Sequence, residues 1–479
     1  MIDFNLYWVD DDFQDKKTDL AWRLGQYVDT LSSFLRNRGI NPIFTTSACG
    51  SILDDLAFSK TDLIILDVHL YNSIKNKKEP VSGFEIIDRI NKLISHPPVV
   101  LFTHYLDIQT SQYRENFDSQ QAKNIPKFQK SDEGVLHLAE YISELALYPP
   151  FSMVILSDLH VGYFQDKERQ SIFHDILFDE LRDLALRTSI NYLVITGDFA
   201  WKNQGEDLTK AAKVINEIRD CLLVKQSHQF HFCPGNHDVC FNNDNPWESY
   251  YEFVMELTAG DPQLRHRFYS YHDRTERLRS FKDRISCLAV ARGSQDSILF
   301  AALNSCNIEN NDTIVKPEVG EEQWNGLRKL LENEPINQLR IAILHHPIFA
   351  APGGDFPDER PLFDQAEAVH RLSNLNFQLL IHGHSHFSAV YEHRVTILNE
   401  PSCHSASKLT VIACPTCGAE PSSSTPIRQY MIISIGQYDR ATNSRSLRVR
   451  TRIYNQSNKT WSEGGAPFDS KIFIEDSRS

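Results

Sequence analysis

Short apolar runs and one clear helical pattern organise the first 145 residues of this chain. Apolar side chains fall on one face of a predicted helix that stops at Gly39: Leu20, Leu24, Val28, Leu31 and Leu35. Predicted strands lie before and after this helix, at 6–9, 42–46, 63–66, 99–102 and 125–128. Strands that alternate with helices predict a parallel sheet with helices on both faces.

Further along, five apolar runs each lead into a block of polar residues. The runs are Met153 to Leu156, Tyr192 to Ile195, Gln229 to Cys233, Ile341 to Leu344 and Gln378 to Ile381. The blocks are Asp158-Leu-His160, Gly197-Asp198, Gly235-Asn236-His237-Asp238, His345-His346-Pro347 and Gly383-His384-Ser385-His386. Ligands bind beyond the carboxyl ends of strands in an open α/β sheet, so we expect these blocks to meet in one crevice.

The pattern changes at a proline pair and again after the last block. Leu147-Tyr-Pro-Pro150 predicts a boundary between a domain at 1–147 and another at 150–479. Residues 246–298 carry charged helical patterns without recognisable chemistry, and we interpret them as a cap or insertion. Predicted strands at 395–398, 430–435 and 447–453 then follow one another without helices between them.

Composition narrows the class of protein. Hydrophobic residues at 41% and charged residues at 23% are typical of a soluble globular chain. With 63 acidic against 49 basic residues the net charge is −14, which argues against strong non-specific binding of nucleic acid. No signal peptide and no long apolar span is visible, so we expect a cytoplasmic protein that does not cross a membrane.

Nine scattered cysteines favour reduced thiols. Cys414-Pro-Thr-Cys417 is the one pair with the spacing of metal ligands. A zinc site of this kind normally has a second pair, so a structural role in a loop is the favoured interpretation. A zinc or redox role, with Cys403 or His404 taking part, stays open.

Together, the polar blocks supply the ligands of a site for two divalent metal ions. Such a site needs a bridging carboxylate and mixed nitrogen and oxygen ligands. Asp198 can bridge two ions because Gly197 lets the backbone approach closely. The other candidate ligands are Asp158, His160, Asn236, His345, His384 and His386.

The order of these blocks is similar to that of the calcineurin-like metallophosphoesterase family, over residues 151–386 and onward to about 460. The resemblance implies a four-layer α/β/β/α sandwich over residues 150–479. It implies that one ion is bound by Asp158, His160 and His386, the other by Asn236, His345 and His384, with Asp198 between them. It also implies that His237 is a general acid or a donor to a phosphoryl oxygen, that Asp238 orients His237 through a hydrogen bond, and that His346 lies behind the ligands.

The same resemblance implies a hydrolase of phosphate monoesters or diesters. Two ions of Mn, Fe, Zn or Co would lower the pKa of a bridging water, and the hydroxide would attack phosphorus. A small phosphoester or a nucleotide is the expected substrate, with its selection in residues 246–298 and 349–369. Two alternatives stay open: a metal-binding signalling scaffold without turnover, and a nuclease of the same family.

A second group of polar residues follows the N-terminal strands. Asp10, Asp11 and Asp12 follow the first strand, Asp67 ends the third, and Thr103 ends the fourth. This pattern resembles the receiver domain of two-component response regulators over residues 1–145, which implies a flavodoxin-like, doubly wound sheet. By that likeness Asp67 accepts a phosphoryl group from a histidine kinase or a small phosphodonor. Asp10 and Asp11 would bind Mg²⁺, and Thr103 would contact the phosphoryl group.

The lysine of this constellation has two candidates after the fifth predicted strand, Lys127 and Lys130. Neither is followed by proline, and we favour Lys130 because Ser131 and Asp132 come next. The segment after Asp67 is longer and more basic than the tight loop of the family. We expect phosphorylation of Asp67 to regulate hydrolysis at the two-metal site; the alternative is a receiver-like docking domain with solvated acids.

Overall fold

The computed structural model divides into two compact units, Met1–Pro149 and Pro150–Ala291 with Gln295–Ser479. The division falls inside the predicted proline-marked junction. The structure describes residues 2–10, 19–47, 61–67, 69–71, 80–82, 99–103, 125–147, 150–162, 167–201, 205–224, 226–239, 246–261, 286–290, 298–307, 316–332, 334, 338–349, 361–395, 407–418, 428–439 and 442–474.

The first unit is built on a five-stranded parallel sheet. Its strands and an accompanying ribbon are β1 (Ile2–Val9), β2 (Ile40–Ser47), β3 (Leu63–Leu66), β4 (His69–Tyr71), β5 (Pro80–Ser82), β6 (Val99–Thr103) and β7 (Lys127–Gln129). The order is β2-β1-β3-β6-β7, with every neighbouring pair parallel. Without the separate antiparallel β4–β5 ribbon this is the flavodoxin-like order 2-1-3-4-5. The predicted parallel sheet is confirmed.

Two helices pack on this sheet, α1 (Asp19–Asn37) and α2 (Asp132–Leu147). On the predicted apolar face of α1, Leu24, Leu31 and Leu35 are buried in a cluster that includes Trp8 and Phe102. The helix ends where the Gly39 N–H donates to the Arg36 carbonyl, at a φ of +78° that favours glycine. The helices expected between β3 and β6, and between β6 and β7, lie outside the described residues.

The second unit contains two larger sheets. Its strands are β8 (Phe151–Leu156), β9 (Tyr192–Ile195), β10 (Phe230–Phe232), β11 (Ser286–Val290), β12 (Ile298–Ala302), β13 (Cys306–Asn307), β14 (Lys316–Pro317), β15 (Leu339–Leu344), β16 (Leu379–His382), β17 (Ala389–Val395), β18 (Ser407–Ala413), β19 (Gln429–Asp439), β20 (Ser444–Asn455), β21 (Thr460–Glu463) and β22 (Phe468–Phe473). One sheet runs β10-β9-β8-β19-β20-β21, with β22 also paired to β20. The other runs β11-β12-β15-β16-β18-β17.

The five block-bearing strands are divided between these two sheets. The first three block-bearing strands, β8 to β10, are parallel neighbours in the seven-stranded sheet. The last two, β15 and β16, are parallel neighbours in the six-stranded sheet. The late strand β19 lies antiparallel to β8, so the C-terminal strands complete the first sheet.

Buried side chains form three clusters in this unit. One contains residues of both sheets, such as Met153, Met431 and Ile343. A second joins the seven-stranded sheet to α3 (Lys167–Arg187), α4 (Gly205–Cys221) and α5 (Glu248–Leu257). A third joins the six-stranded sheet to α6 (Glu321–Leu331) and α7 (Gln365–Asn374). Strands that are buried on both faces explain the continuous apolar runs of the sequence.

The described parts of 246–298 pack against this unit. Helix α5 buries Tyr250, Phe253 and Val254 in the core, and β11 pairs with β12 at the sheet edge. The charged pattern at 273–284 and the acidic part of 349–369 lie outside the described residues. Among the described helices, none combines the length and the apolar character needed to cross a membrane.

Candidate metal centre

The candidate ligands lie on tight turns at the strand ends, and their backbone conformation is unusual. Five of the seven have a positive φ: Asp158 (51°), His160 (44°), Asp198 (52°), His384 (65°) and His386 (55°). Side chains other than glycine rarely adopt this region, and such residues cluster at functional sites. Backbone hydrogen bonds hold the turns together, from Asp158 N–H to the Gly197 carbonyl (3.1 Å) and from His160 N–H to the Asp198 carbonyl (3.0 Å).

These turns bring the side chains of all five blocks together. Possible ligand atoms lie within 4.8 Å of one another in four overlapping groups: Asp158, His160 and His386; Asp158, Asp198 and His345; His160, Asp198 and His237; and His345, His346 and His384. Asp158 and Asp198 each belong to two groups. The groups therefore adjoin, as two neighbouring ion sites require.

Individual distances link the two sheets. The His386 Nε2 lies 3.2 Å from the Asp158 Oδ1. The His345 Nε2 lies 2.9 Å from the Asn236 Oδ1, 3.2 Å from the His384 Nδ1 and 3.5 Å from the Asp198 Oδ2. The structure thus places every predicted ligand beside at least one other, although the ligands come from two sheets.

His160 tests whether this site suits a metal ion. Its side chain is buried, yet neither ring nitrogen has a hydrogen-bond partner among the described residues. A buried polar group without a partner is costly, and native proteins rarely contain one. An imidazole nitrogen beside two carboxylates fits the donor set that Mn, Fe, Zn and Co accept.

The protonation states of the carboxyl and imidazole groups in the site suit the binding of cations. Burial would raise the pKa of Asp158, but His386, His345 and His160 hold it below its ordinary value. The pKa of Asp198 is also lowered by neighbouring imidazoles, against the effect of burial. Burial lowers the pKa of His160 to about 4 in spite of Asp198 and Asp158. The site therefore holds ionised carboxylates and a neutral imidazole, which are the forms that bind metal.

Close packing of the turns explains two glycines of the blocks. A Cβ on Gly235 would clash with the carboxylate of Asp198. A Cβ on Gly383 would clash with the Ser157 hydroxyl. Small residues at these points let the turns approach closely enough for the ligands to converge.

Asp238 holds a backbone turn of the site together. Its carboxylate accepts backbone N–H groups of Asp198 (2.9 Å), Phe199 (2.8 Å) and Gly235 (2.8 Å), and so it fixes the turn that carries Asp198. The His237 Nδ1 lies 2.7 Å from the Trp201 carbonyl oxygen, and the Trp201 indole stacks on the imidazole with ring centroids 5.1 Å apart. Trp201 therefore contributes to the orientation of His237, and the contribution expected from Asp238 stays a prediction.

Sequence reasoning missed Trp201, and it placed His346 behind the ligands. Nothing in the sequence marks Trp201, because its contact with His237 uses a backbone carbonyl. His346 is buried with its Nδ1 3.0 Å from the Ser305 hydroxyl, and it also falls in a group with His345 and His384. A second carbonyl, that of Thr196, lies 2.7 Å from the His345 Nδ1 and orients that ring.

The CxxC pair has the environment of structural cysteines. Cys414 and Cys417 are free, fully buried, and packed in two different hydrophobic clusters. Burial raises the pKa of Cys417 to about 12 and that of Cys414 well above its ordinary value. Thiols in this state are poor metal ligands and poor nucleophiles. Cys403 and His404 lie outside the described residues.

The predicted N-terminal constellation also converges. The Lys130 Nζ lies 2.7 Å from the Asp10 Oδ2 and 2.6 Å from the Asp67 Oδ2, and all three side chains are buried. Although burial works against its charge, the two carboxylates raise the pKa of Lys130 above its ordinary value. Thr103 is buried at the end of β6, and its carbonyl accepts the Lys130 N–H. Asp11 lies outside the described residues.

Comparison with known proteins identifies the second unit. A family model described as calcineurin-like phosphoesterase matches residues 151–388. This segment is a calcineurin-like phosphoesterase domain. The match spans all five polar blocks, whose side chains converge in the structure. No curated protein matches the chain.

Several solved structures are distantly similar to the chain. PptH, a phosphopantetheinyl hydrolase from Mycobacterium tuberculosis, is 14% identical, with 56% of this chain and 90% of that chain covered and a TM-score of 0.30. NadN, an NAD nucleotidase from Haemophilus influenzae, is 12% identical, with 66% and 54% covered and a TM-score of 0.33. The N-terminal domain of a response regulator protein from Carboxydothermus hydrogenoformans is 16% identical, with 29% and 92% covered and a TM-score of 0.19. TM-scores this low do not establish a shared fold.

Proposed function

We propose that residues 150–479 form a four-layer metallophosphoesterase that hydrolyses phosphate esters with two bound divalent ions. The observation that carries the proposal is the adjoining set of ligand groups that share Asp158 and Asp198. Asp158, His160 and His386 would hold one ion, and Asn236, His345 and His384 the other. Asp198 would contribute its carboxylate to both.

When bound, the two ions supply an activated water and neutralise charge on the phosphoryl oxygens. The chain supplies the rest of the reaction. Because a carbonyl oxygen only accepts hydrogen bonds, the contact with Trp201 requires a proton on the His237 Nδ1. The Nε2 is then the nitrogen that exchanges a proton with the leaving oxygen. The stacked Trp201 indole restricts rotation of the ring, so this nitrogen keeps its direction.

Purified full-length protein incubated with Mn²⁺ tests the proposal. Mono- and bis-p-nitrophenyl phosphate should release p-nitrophenol, and the preferred compound separates a monoesterase from a diesterase. The His384→Ala variant should lose this activity, while His370→Ala, which removes an exposed histidine of α7, should keep it. Bound metal without turnover of either compound would favour the signalling scaffold. Full activity in His384→Ala would contradict the proposed site.

We further propose that the first unit is receiver-like and accepts a phosphoryl group on Asp67, with Mg²⁺ bound beside it. The supporting observation is the buried contact of Asp10, Asp67 and Lys130 at the carboxyl ends of parallel strands. Incubation with a small phosphodonor and Mg²⁺ should add the mass of one phosphoryl group. An increase that persists in Asp67→Asn would contradict this assignment. Regulation of hydrolysis by this modification is part of the same proposal, and a changed rate after phosphorylation would support it.

A further inference from the structure

We infer that residues 414–418, the CxxC loop, clamp the metal-binding turn at 157–160 and position Asp158 for one of the two ions. This inference rests on the proposed function of the second unit. It assigns a role to a motif that the metal site does not use, because neither cysteine is a ligand.

Three hydrogen bonds join the CxxC loop to the turn. The Cys417 N–H donates to the Ser157 carbonyl at 2.9 Å. The Thr416 hydroxyl and the Gly418 N–H both donate to the Asp158 carbonyl, each at 3.1 Å. Gly418 lies so close to the turn that a Cβ at this position would clash with the carbonyl of Leu159. The loop therefore contacts three consecutive residues of the turn.

The turn needs such support because its conformation is unfavourable by itself. Asp158 and His160 have φ values of 51° and 44°, a region of backbone conformation that residues other than glycine rarely adopt. One side of the turn is held by backbone hydrogen bonds to the carbonyls of Gly197 and Asp198. The CxxC loop holds the other side. Between them, the Asp158 carboxylate is directed to the site, where it accepts the His384 N–H at 3.3 Å.

The CxxC loop is itself anchored to both sheets. It leaves β18 with the Cys414 N–H donating to the His382 carbonyl at 2.7 Å, directly before the turn that carries His384. The Thr416 carbonyl accepts the N–H of Gln429 at the start of β19. The two cysteine side chains fill separate hydrophobic clusters on the way. Their spacing thus fits two anchors of one loop, which fixes Asp158 relative to His384 and His386.

A measurement of metal affinity tests the clamp. Thr416→Val removes the donor to the Asp158 carbonyl and keeps the shape of the side chain. Loss of a group that orients a ligand typically weakens metal binding by 10–100-fold, and we expect about tenfold because the Gly418 N–H remains. The weakened ion should be the one held by Asp158, His160 and His386, while the other keeps its affinity. Two-step Mn²⁺ titration by calorimetry, with metal content measured after gel filtration, separates the two ions.

Matched variants distinguish positioning from a general loss of structure. Thr416→Ser keeps the hydroxyl and should restore the affinity. Thr258→Val removes an equivalent hydrogen bond, from a buried threonine hydroxyl to the Val254 carbonyl (2.7 Å), and should leave both affinities unchanged. Excess Mn²⁺ should restore phosphoesterase turnover in Thr416→Val. Thr416→Ala should repeat the loss with a smaller side chain.

The outcomes separate the clamp from the proposed function. If the wild-type protein binds no Mn²⁺, both the proposed metal site and the clamp are contradicted. Wild-type protein that binds two ions, with Thr416→Val binding both equally well, would overturn the clamp alone. An equal loss at both ions in Thr416→Val would also overturn it, because the contact is specific to the turn of Asp158.

Discussion

Acidic side chains occupy the same topological position in the two units, but different side chains lie beside their negative charge. In each, carboxylates follow the carboxyl ends of parallel strands. In the first unit, the Lys130 ammonium sits between Asp10 and Asp67 and offsets part of their charge. In the second, Asp158 and Asp198 face imidazoles, and His160 is buried without a hydrogen-bond partner among the described residues. The first site contains its own cation, whereas the second contains the types of side chain that metal ions accept.

The largest expected effect comes from removing the shared carboxylate of the second unit. Asp198→Asn should lower the rate of phosphoester hydrolysis at least about a thousandfold, because the ions lose the ligand between them and the charge that retains them. Asp67→Asn is the matched change in the first unit and should leave the unstimulated rate unchanged. Rates with bis-p-nitrophenyl phosphate and metal content by mass spectrometry give the comparison. Equal losses in the two variants would contradict the division of roles.

Removing the internal cation should destabilise the first unit. Lys130→Met leaves two buried carboxylates uncompensated, and loss of one partner from a buried ion pair costs about 3–5 kcal/mol. Hydrogen exchange in peptides from β1 and β3 should accelerate accordingly, while phosphoester hydrolysis persists. Lys127→Met changes a half-buried lysine of β7 and serves as the control. Added Mg²⁺ should slow the exchange in Lys130→Met, since it replaces the missing charge; no difference between the two variants would contradict the assigned role of Lys130.

Removal of metal ions by chelation should mainly destabilise the second unit, whereas Lys130→Met mainly destabilises the first. A ligand present at 100 times its dissociation constant stabilises the folded state by about 2.7 kcal/mol, so removal of metal should destabilise the second unit by roughly that amount. Hydrogen exchange in peptides from β8 and β15 should then accelerate after treatment with EDTA. Peptides from β1 and β3 should respond less, because Lys130 stays in place and offsets part of the carboxylate charge when Mg²⁺ is removed. A uniform response across the chain would show that the two sites do not differ in this way.

The last prediction concerns pH in the metal-free protein. Burial lowers the pKa of His160 and of His382 to about 4, whereas an unfolded histidine titrates near 6.5. Between these values the unfolded state binds more protons than the folded state, so stability falls as the pH decreases. The slope is about 1.4 kcal/mol per pH unit for each such histidine, and the loss stops growing below about pH 4. Urea unfolding at pH 7.0, 6.0 and 5.0 measures the free energy of unfolding of the second unit. A free energy that stays constant over this range would contradict the prediction.

Helices and strands that depend on the local pattern of apolar residues could be predicted from the sequence. The predicted helix at Leu20–Leu35 and the five strands before the polar blocks are present, because burial imposes its own period on each segment. The convergence of the blocks was also foreseen, since parallel strands end at the same edge. Apolar runs carry no record of which strands pair, however, so the runs alone could not assign β8 to β10 to one sheet and β15 and β16 to the other.

Backbone contacts around the site were harder to foresee. The Asp238 carboxylate accepts backbone N–H groups from the turn after β9. Backbone carbonyls also lie beside the His237 and His345 rings. Such contacts depend on the path of the chain and leave no signature in residue type.

The pairing of β19 with β8 also sets a time order for biosynthesis. Strand β8 begins the second unit at Phe151, but its partner Met431–Ile435 is made almost last. Chains are synthesised from the N-terminus, so the turn that carries Asp158 emerges long before the neighbour that covers it and before the CxxC loop. Until residue 435 has left the ribosome, the edge of this apolar strand lacks its partner β19. An unpaired apolar strand edge favours aggregation with other chains, above all when synthesis stalls. The turn that carries Asp158 therefore gains its last neighbours only when almost the whole chain has been made.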